Sequence, residues 1–463
     1  MTADDLVSVL LDSDAVESLA AYVTRGGGRA IEFARQVGPN QVVDELRLSR
    51  LRGRGGAGFP TAQKWRGIVD AGPGRRFAVC NAAEGEPGTF KDRALLRHNP
   101  YQVLEGLAVA ALTVGAEAVY VATKRSYTAE AARLETAIEE TTGAGWFGAT
   151  PVSLVLGPDE YLFGEEKALL EVIEGRDPLP RLLPPFQHGL FATDIQTGWE
   201  STEAAGGQPQ ANPTLVNNVE TLANVPHILT RGASWFRSLG TDSSPGTIVA
   251  TVTGDVQTPL VVEVEMGTSL AALIERAGGP RPGRTIQAVV SGVANGVLTG
   301  EMLDVALDYE ALSAAGSGLG SAGFVVYDDT ACPVEIARAL SRFLYVESCG
   351  QCRSCKFGCG EITRSLDALT GGTGSDRDVE VIGARLRSVT DQVRCYLANE
   401  EQALISSFLQ RFPDEFALHI EGRCSRPEAR TLLAPKIVDL RDGTVTWDER
   451  QALKQPDWTY LPG

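Results

Sequence analysis

The sequence has no apolar run that is both long enough and free enough of charge to cross a membrane. Its most apolar long window, Val103 to Ala122, carries Glu105 and Glu117, and it reads as a buried helix followed by a strand over Ala118–Thr123. An excess of basic residues is missing too. Against 59 Asp and Glu there are 42 Lys and Arg, for a formal charge of −17. That balance argues against nucleic acid or an anionic membrane as a main partner, and leaves room for a basic or charge-steered redox partner. Only four histidines are present, and none stands where an acid–base triad needs one. The N-terminus lacks the basic start and apolar core of a signal peptide, so a cytoplasmic protein is expected. Cysteine is sparse except for four of the eight, which lie between Cys349 and Cys359. Without an export signal, that clustering favours a metal or cluster site over disulfides.

What the chain does have is glycine in the right places. In Arg52-Gly53-Arg54-Gly55-Gly56-Ala57-Gly58-Phe59-Pro60-Thr61-Ala62-Gln63-Lys64-Trp65, the glycines let the backbone approach an anion and take positive φ. Successive N–H groups there can cradle phosphate oxygens, and a helix starting near Pro60 adds its positive end. Lys64 supplies a mobile ammonium and Phe59 a face for a planar ring. The same glycines also suit a plain tight turn. A second stretch is Cys80-Asn81-Ala82-Ala83-Glu84-Gly85-Glu86-Pro87-Gly88-Thr89-Phe90-Lys91-Asp92-Arg93. An apolar strand, Phe77–Asn81, delivers it at the end where open α/β sheets place ligands.

Together these two stretches resemble the NADH-oxidising flavoprotein subunit of respiratory complex I and its relatives in soluble NAD-linked hydrogenases and formate dehydrogenases. The resemblance runs from about residue 45 to about residue 425. It implies an FMN and NADH cleft lined by Gly53, Gly55, Gly56, Gly58, Phe59, Lys64, Asn81, Glu84 and Glu86. It also implies roles for Gly164, Glu165 and Glu166, for Phe186 in a proline-rich wall from Arg176 to Phe186, and for Asn217 and Asn218 on the flavin. Glu84 and Glu86 are the acids expected at the reacting end. Read without the resemblance, Glu165 and Glu166 equally suit a helix N-terminus, and Pro213 to Leu222 a capped helix start.

The order of elements gives a domain plan. Residues 1–45 read as a helical segment, acidic at Asp4, Asp5, Asp12, Asp14 and Glu17. Residues 46–245 alternate strand and helix, with strands at Ala118–Thr123 and Val152–Leu156 and a helix from about Thr128 to Thr141. This implies an α/β fold with a mostly parallel sheet, Rossmann-like but without the G-x-G-x-x-G fingerprint. Residues 196–212 read as a surface insertion. A small β-grasp-like domain follows over 246–329; the resemblance then implies a helical-bundle iron–sulfur domain over 330–430, leaving a tail over 431–463 that either docks on a partner or folds back. At this length two to four domains are expected.

Cys349, Cys352 and Cys355, at two-residue gaps, can wrap one face of an iron–sulfur cube, with structural zinc the alternative. Cys359 completes a ferredoxin-type run. The family resemblance instead assigns the fourth ligand to Cys395, giving a 4Fe-4S cluster on Cys349, Cys352, Cys355 and Cys395. Cys80, Cys332 and Cys424 read as ordinary thiols.

Four positions depart from the family pattern as the resemblance gives it. Ala83 stands for an aspartate beside the flavin, Leu183 for a lysine facing the nucleotide, Gly67 for a stacking aromatic and Lys167 for a threonine. The expected function is an NAD(P)H:acceptor oxidoreductase that passes electrons from FMN through the cluster to a ferredoxin, a 2Fe-2S subunit or a larger hydrogenase- or formate dehydrogenase-type complex, or runs in reverse to reduce NAD+. The alternatives are an FMN/4Fe-4S electron-transfer subunit that no longer uses a nicotinamide, and a scaffold paralogue. No nucleic-acid partner and no membrane insertion are expected.

Overall fold

In the computed structural model of the protein, Phe77–Ala82 (β1) is buried along almost its whole length, as an inner parallel strand must be when both faces are covered. The structure describes residues 8–193 and 210–462, apart from 12, 13, 73, 427 and 429. They belong to two units. The first comprises Met1–Gly85, Lys91–Val249 and Val262–Gly267.

In the first unit α1 (Leu19–Thr24), α2 (Arg29–Val37), α3 (Pro39–Ser49) and α4 (Thr61–Val69) precede β1. Next come α5 (Lys91–His98), α6 (Pro100–Val114), β2 (Ala118–Lys124), α7 (Thr128–Gly143), β3 (Val152–Gly157), α8 (Glu166–Ile173), β4 (Thr214–Asn218), α9 (Val219–Arg231) and α10 (Ala233–Phe236). The sheet order is β3-β2-β1-β4, with every pairing parallel. The apolar window is the helix expected: Asn99 caps α6 by accepting from Gln102 N, Pro100 opens it, and Gly115 closes it in the left-handed region. Gly106 is required in α6, because a Cβ there would lie 2.0 Å from the Leu222 carbonyl oxygen of α9.

The second unit comprises Glu86–Phe90, Ala250–Val261 and Thr268–Gly463. Along the chain β5 (Thr247–Gly254) and β6 (Leu260–Glu265), each with residues assigned to both units, are followed by α11 (Leu270–Arg276), β7 (Ile286–Ser291), β8 (Leu298–Thr299), α12 (Tyr309–Ala314) and β9 (Gly323–Asp328). The strand order is β6-β5-β9-β7-β8; β5 runs parallel to β9, and β7 antiparallel to both β9 and β8. Five helices follow: α13 (Pro333–Glu347), α14 (Arg353–Thr370), α15 (Asp376–Leu386), α16 (Leu397–Arg411) and α17 (Pro413–Ile420). A hairpin of β10 (Ile437–Arg441) and β11 (Thr444–Trp447) comes last. The tail folds back within this unit. The Lys454 ammonium, fully buried, lies 2.7 Å from Glu347 Oε1, and Lys356 Nζ donates to the Pro456 carbonyl at 2.6 Å.

The strands and helices read from the sequence recur within a residue or two, with one difference. Pro213 to Leu222 is not only a helix start: Thr214–Asn218 is a strand paired with β1, and the helix begins after Asn218. The acids Asp4, Asp5 and Asp12 lie outside the described residues, as does the 196–212 insertion except for 210–212. Among the described residues no helix is long and apolar enough to cross a membrane.

Candidate flavin and iron–sulfur sites

Within the first unit the glycine loop is folded on its own backbone. Gly53 N donates to the Phe59 carbonyl and Arg52 Nε to the Gly58 carbonyl, both at 2.8 Å. Gly56 (φ 126°) and Gly58 (φ 61°) supply the turns. Arg54 is buried and anchors the loop, with its N donating to Thr221 Oγ1 at 2.8 Å and its guanidinium to the Pro245 carbonyl at 3.0 Å. Gly55 faces Asn218: a Cβ on it would meet the Asn218 Cβ at 3.2 Å. The loop therefore rests on the end of β4.

The loop leads straight into α4, whose N-terminus has no side-chain cap, and the buried Thr61 hydroxyl there has no hydrogen-bond partner. An uncapped helix start behind a glycine loop, with an orphaned hydroxyl in its first turn, fits a phosphate group. Lys64, in the same helix, sends Nζ to Glu166 Oε2 at 2.8 Å and to the Val216 carbonyl at 2.9 Å. Phe59 and Phe186 are both about half exposed, at 48% and 54%, so each leaves a ring face open.

The asparagines are fixed by neighbours. Asn81 donates to the Gly164 carbonyl at 2.7 Å, and Asn217 Oδ1 accepts from Trp65 Nε1 at 2.8 Å. Asn218 caps α9 through Oδ1 while its Nδ2 donates to Asp92 Oδ2 at 2.6 Å. Asp92 belongs to a buried cluster that sequence reasoning did not assign. Lys91 Nζ lies 2.7 Å from Asp92 Oδ1 and 2.8 Å from Glu220 Oε2. Burial works against the Lys91 ammonium, but the two carboxylates outweigh it and raise its pKa. Burial lifts Asp92 to about 6 despite Lys91. Both residues stand in the quoted second motif, so the signal was present.

The expected acids differ in what holds them. Glu84 is buried, accepting from Arg93 Nε at 2.8 Å and from Asp92 N at 3.0 Å, and Arg93 stacks 4.6 Å over the Tyr127 ring. Glu86 belongs to the second unit, where it accepts from Val293 N at 2.6 Å. Glu165 caps α8, accepting from Lys167 N and Ala168 N at 3.0 Å. Burial raises its carboxyl to about 7, against the pull of Lys167. The proline-rich segment is pinned by buried Arg181, also missed in sequence, whose guanidinium reaches Glu171 at 2.6 Å and Glu174 at 2.7 Å.

In the second unit Cys349 follows α13, Cys352 stands at the N-cap position of α14 without a side-chain cap, Cys355 lies in its first turn, and Cys395 lies just before α16. The Cys352 thiol accepts from the Arg394 amide, which draws the segment carrying Cys395 to the cysteine loop. Cys359 lies one turn beyond Cys355, wholly buried; its hydrogen bond lowers the pKa of Cys355 and raises its own. Lys356 Nζ donates to the Ser348 carbonyl at 2.6 Å and the Tyr345 carbonyl at 3.2 Å, closing the loop before Cys349. Four thiols from a loop and two helix starts suit a cubane cluster.

A parallel sheet ending in a glycine cradle, followed by a helical cysteine domain, defines a flavin- and iron–sulfur-binding electron-transfer protein. Comparison with known families agrees. Residues 46–227 match the Nuo51 FMN-binding domain, residues 249–294 the SLBB domain, and residues 335–419 the NADH-ubiquinone oxidoreductase-F iron-sulfur binding region. The chain belongs to the F-type family of NADH-quinone oxidoreductase subunits. It is 40% identical over 418 residues to the F 2 subunit of the NADH-quinone oxidoreductase of Rhizobium meliloti (strain 1021), covering 88% of this chain and 95% of that one. It is 34% identical over 434 residues to NADP-reducing hydrogenase subunit HndC of Solidesulfovibrio fructosivorans, covering 91% and 85%. Among solved structures, the NAD+-reducing [NiFe]-hydrogenase in its H2-reduced state matches with a TM-score of 0.74 at 30% identity, over 90% of this chain and 68% of that chain. The family resemblance expected from the two motifs and the cysteine run is thereby borne out, as is the FMN and 4Fe-4S complement.

Proposed function

We propose that this chain is an NAD(P)H:acceptor oxidoreductase module, in which hydride passes from NAD(P)H to FMN and single electrons leave through a 4Fe-4S cluster to a separate redox protein, or return to reduce NAD+. The flavin cradle carries this reading, through the orphaned Thr61 hydroxyl at the uncapped start of α4. The bound cofactors supply the conversion of a two-electron donor into one-electron traffic.

The protein's own residues bind and orient. The Gly53–Gly58 backbone, Thr61 and Lys64 hold the phosphate. Asn81, Asn217 and Asn218 present amides that both donate and accept, already fixed by Gly164, Trp65 and Asp92. Phe59 and Phe186 offer faces to the rings. Glu84, Glu86, Glu165 and Glu166 are assigned to the carboxamide and sugars. Cys349, Cys352, Cys355 and Cys395 hold the cluster, with Cys359 packed behind. The plan of an FMN domain over 46–245, a β-grasp-like domain over 246–329, a helical cluster domain over 330–430 and a tail over 431–463 belongs to the same proposal, as does a cytoplasmic location.

The relatives' names supply the nicotinamide and the partner class: complex I-type and hydrogenase assemblies. A second reading, without a nicotinamide, is favoured by Gly67, where a Cβ would face open space, and by Leu183. Anaerobic titration of FMN-replete, cluster-loaded protein with NADH and separately with NADPH tests both readings. Stoichiometric flavin bleaching by one nucleotide is the expected result. If neither nucleotide bleaches the flavin while dithionite still reduces both centres, the nicotinamide reading is overturned.

A further inference from the structure

Cys332, Glu415, His419 and Cys424 each offer one ligand atom, and all four atoms lie within 4.8 Å of one another. None of them belongs to the cysteine set assigned to the iron–sulfur cluster. Cys332 and Cys424, ordinary thiols in the sequence reading, are thus brought together. Cys332 is the N-cap of α13. Glu415 and His419 lie on α17, four residues apart and so on one face, and Cys424 follows in the next turn of chain.

The partners of these groups aim them at a common point. His419 Nδ1 is 3.0 Å from the Leu369 carbonyl, which can only accept, so Nδ1 carries the proton. Nε2 is left with its lone pair, 3.2 Å from Cys332 Sγ, in the way a backbone carbonyl orients a metal-binding imidazole. Glu415 Oε1 takes the Arg426 guanidinium at 2.6 Å, while Oε2 is buried with no partner. Cys424 Sγ meets the Arg426 backbone, 3.3 Å from both its N and its carbonyl oxygen. A mere hydrogen-bonded thiol–imidazole pair would leave the buried Glu415 oxygen orphaned. A dication satisfies every group. Two thiolates and a carboxylate are then balanced by the metal and Arg426.

We propose that Cys332, Glu415, His419 and Cys424 form a tetrahedral structural Zn2+ site, separate from the iron–sulfur cluster, that ties the first helix of the bundle, α13, to its last, α17, and to the segment behind it. Thiolate and imidazole donors select zinc among common divalent ions, and four protein ligands with no open position mark a structural rather than catalytic site.

The test uses the full-length protein, loaded with FMN and iron and purified without chelators, then supplied with zinc and dialysed. Elemental analysis should find about one zinc per chain beside the cluster iron. The zinc K-edge absorption fine structure should show two sulfurs at about 2.3 Å and two nitrogen or oxygen neighbours at about 2.0–2.2 Å. His419→Ala and Cys424→Ser should lower zinc at least about tenfold while FMN and iron stay. If the variants do not fold, the wild-type spectrum decides alone. Zinc well below stoichiometry, a four-sulfur shell, zinc retained in both variants, or a Cys332–Cys424 disulfide in the intact mass overturns the site.

Discussion

Lys64 Nζ lies 2.8 Å from Glu166 Oε2 and joins α4 to the start of α8. About a third of each side chain is exposed, so the pair adds little stability, of order 0–1 kcal/mol. In the proposed cradle the ammonium acts through its charge on the flavin phosphate. Lys64→Met should therefore shift thermal unfolding of the flavin-free protein only slightly, yet weaken FMN binding by about ten- to a hundredfold, the equivalent of one charge-assisted hydrogen bond of about 1.5–3 kcal/mol. Flavin fluorescence quenching gives the dissociation constant. An unchanged constant would remove Lys64 from the cradle.

Lys91, between Asp92 and Glu220, is a different kind of lysine. It is wholly buried, and Asp92 in turn holds the Asn218 amide. Lys91→Met leaves two carboxylates buried without their cation, a change that typically costs about 3–5 kcal/mol. Urea unfolding should show that loss. The double variant Lys91→Met/Glu220→Gln should recover part of it, and failure of that recovery would show that packing rather than charge sets the penalty.

Glu165 has a pH signature. Its usual value is near 4.5, and burial raises it to about 7. The folded protein then holds a proton that the unfolded chain has released, so this group's contribution to stability falls as pH climbs from about 4.5 to about 7. Asp92, raised to about 6, acts in the same direction. Glu165→Gln keeps an acceptor for the Lys167 and Ala168 amides but cannot ionise. Across pH 5 to 7.5 the wild type should lose about 1–3 kcal/mol more than the Gln variant, measured by urea unfolding at each pH. Parallel profiles would mean that Glu165 titrates near its ordinary value.

The uneven legibility of the chain has a physical basis. Hydrophobic runs and caps are local, so the strand at Phe77, the strand at Ala118, the helix at Thr128 and the buried α6 could be read directly. Asn218 as a helix cap was also local. Its strand, β4, was not, because its partner β1 lies far away in sequence and only the sheet shows the pairing. The glycine motif suited a phosphate-bearing planar cofactor and the cysteine spacing an iron–sulfur cluster, while FMN and the fourth ligand, Cys395, came only with the family resemblance. Partners such as Asp92 for Asn218, Arg181 for Glu171 and Glu174, and Cys332 for His419 are contacts made by tertiary folding, and no spacing rule connects them.

Cys359 separates two ways of building the cluster. The ferredoxin-type spacing makes it a ligand; its position argues otherwise. It sits on the buried side of α14, one turn past Cys355, and donates to the Cys355 sulfur, which lowers that thiol's pKa. Cys395 arrives by another route, on the segment whose Arg394 amide bonds Cys352. Cys359→Ser keeps a donor of similar size and should leave the iron content and the cluster's electron paramagnetic resonance signal intact, with a stability change of about 1 kcal/mol. Cys395→Ser should lose the cluster, because an iron left without its thiolate is held by three ligands only. Loss of iron in Cys359→Ser with retention in Cys395→Ser would reverse the assignment and make the ferredoxin-type run the true ligand set.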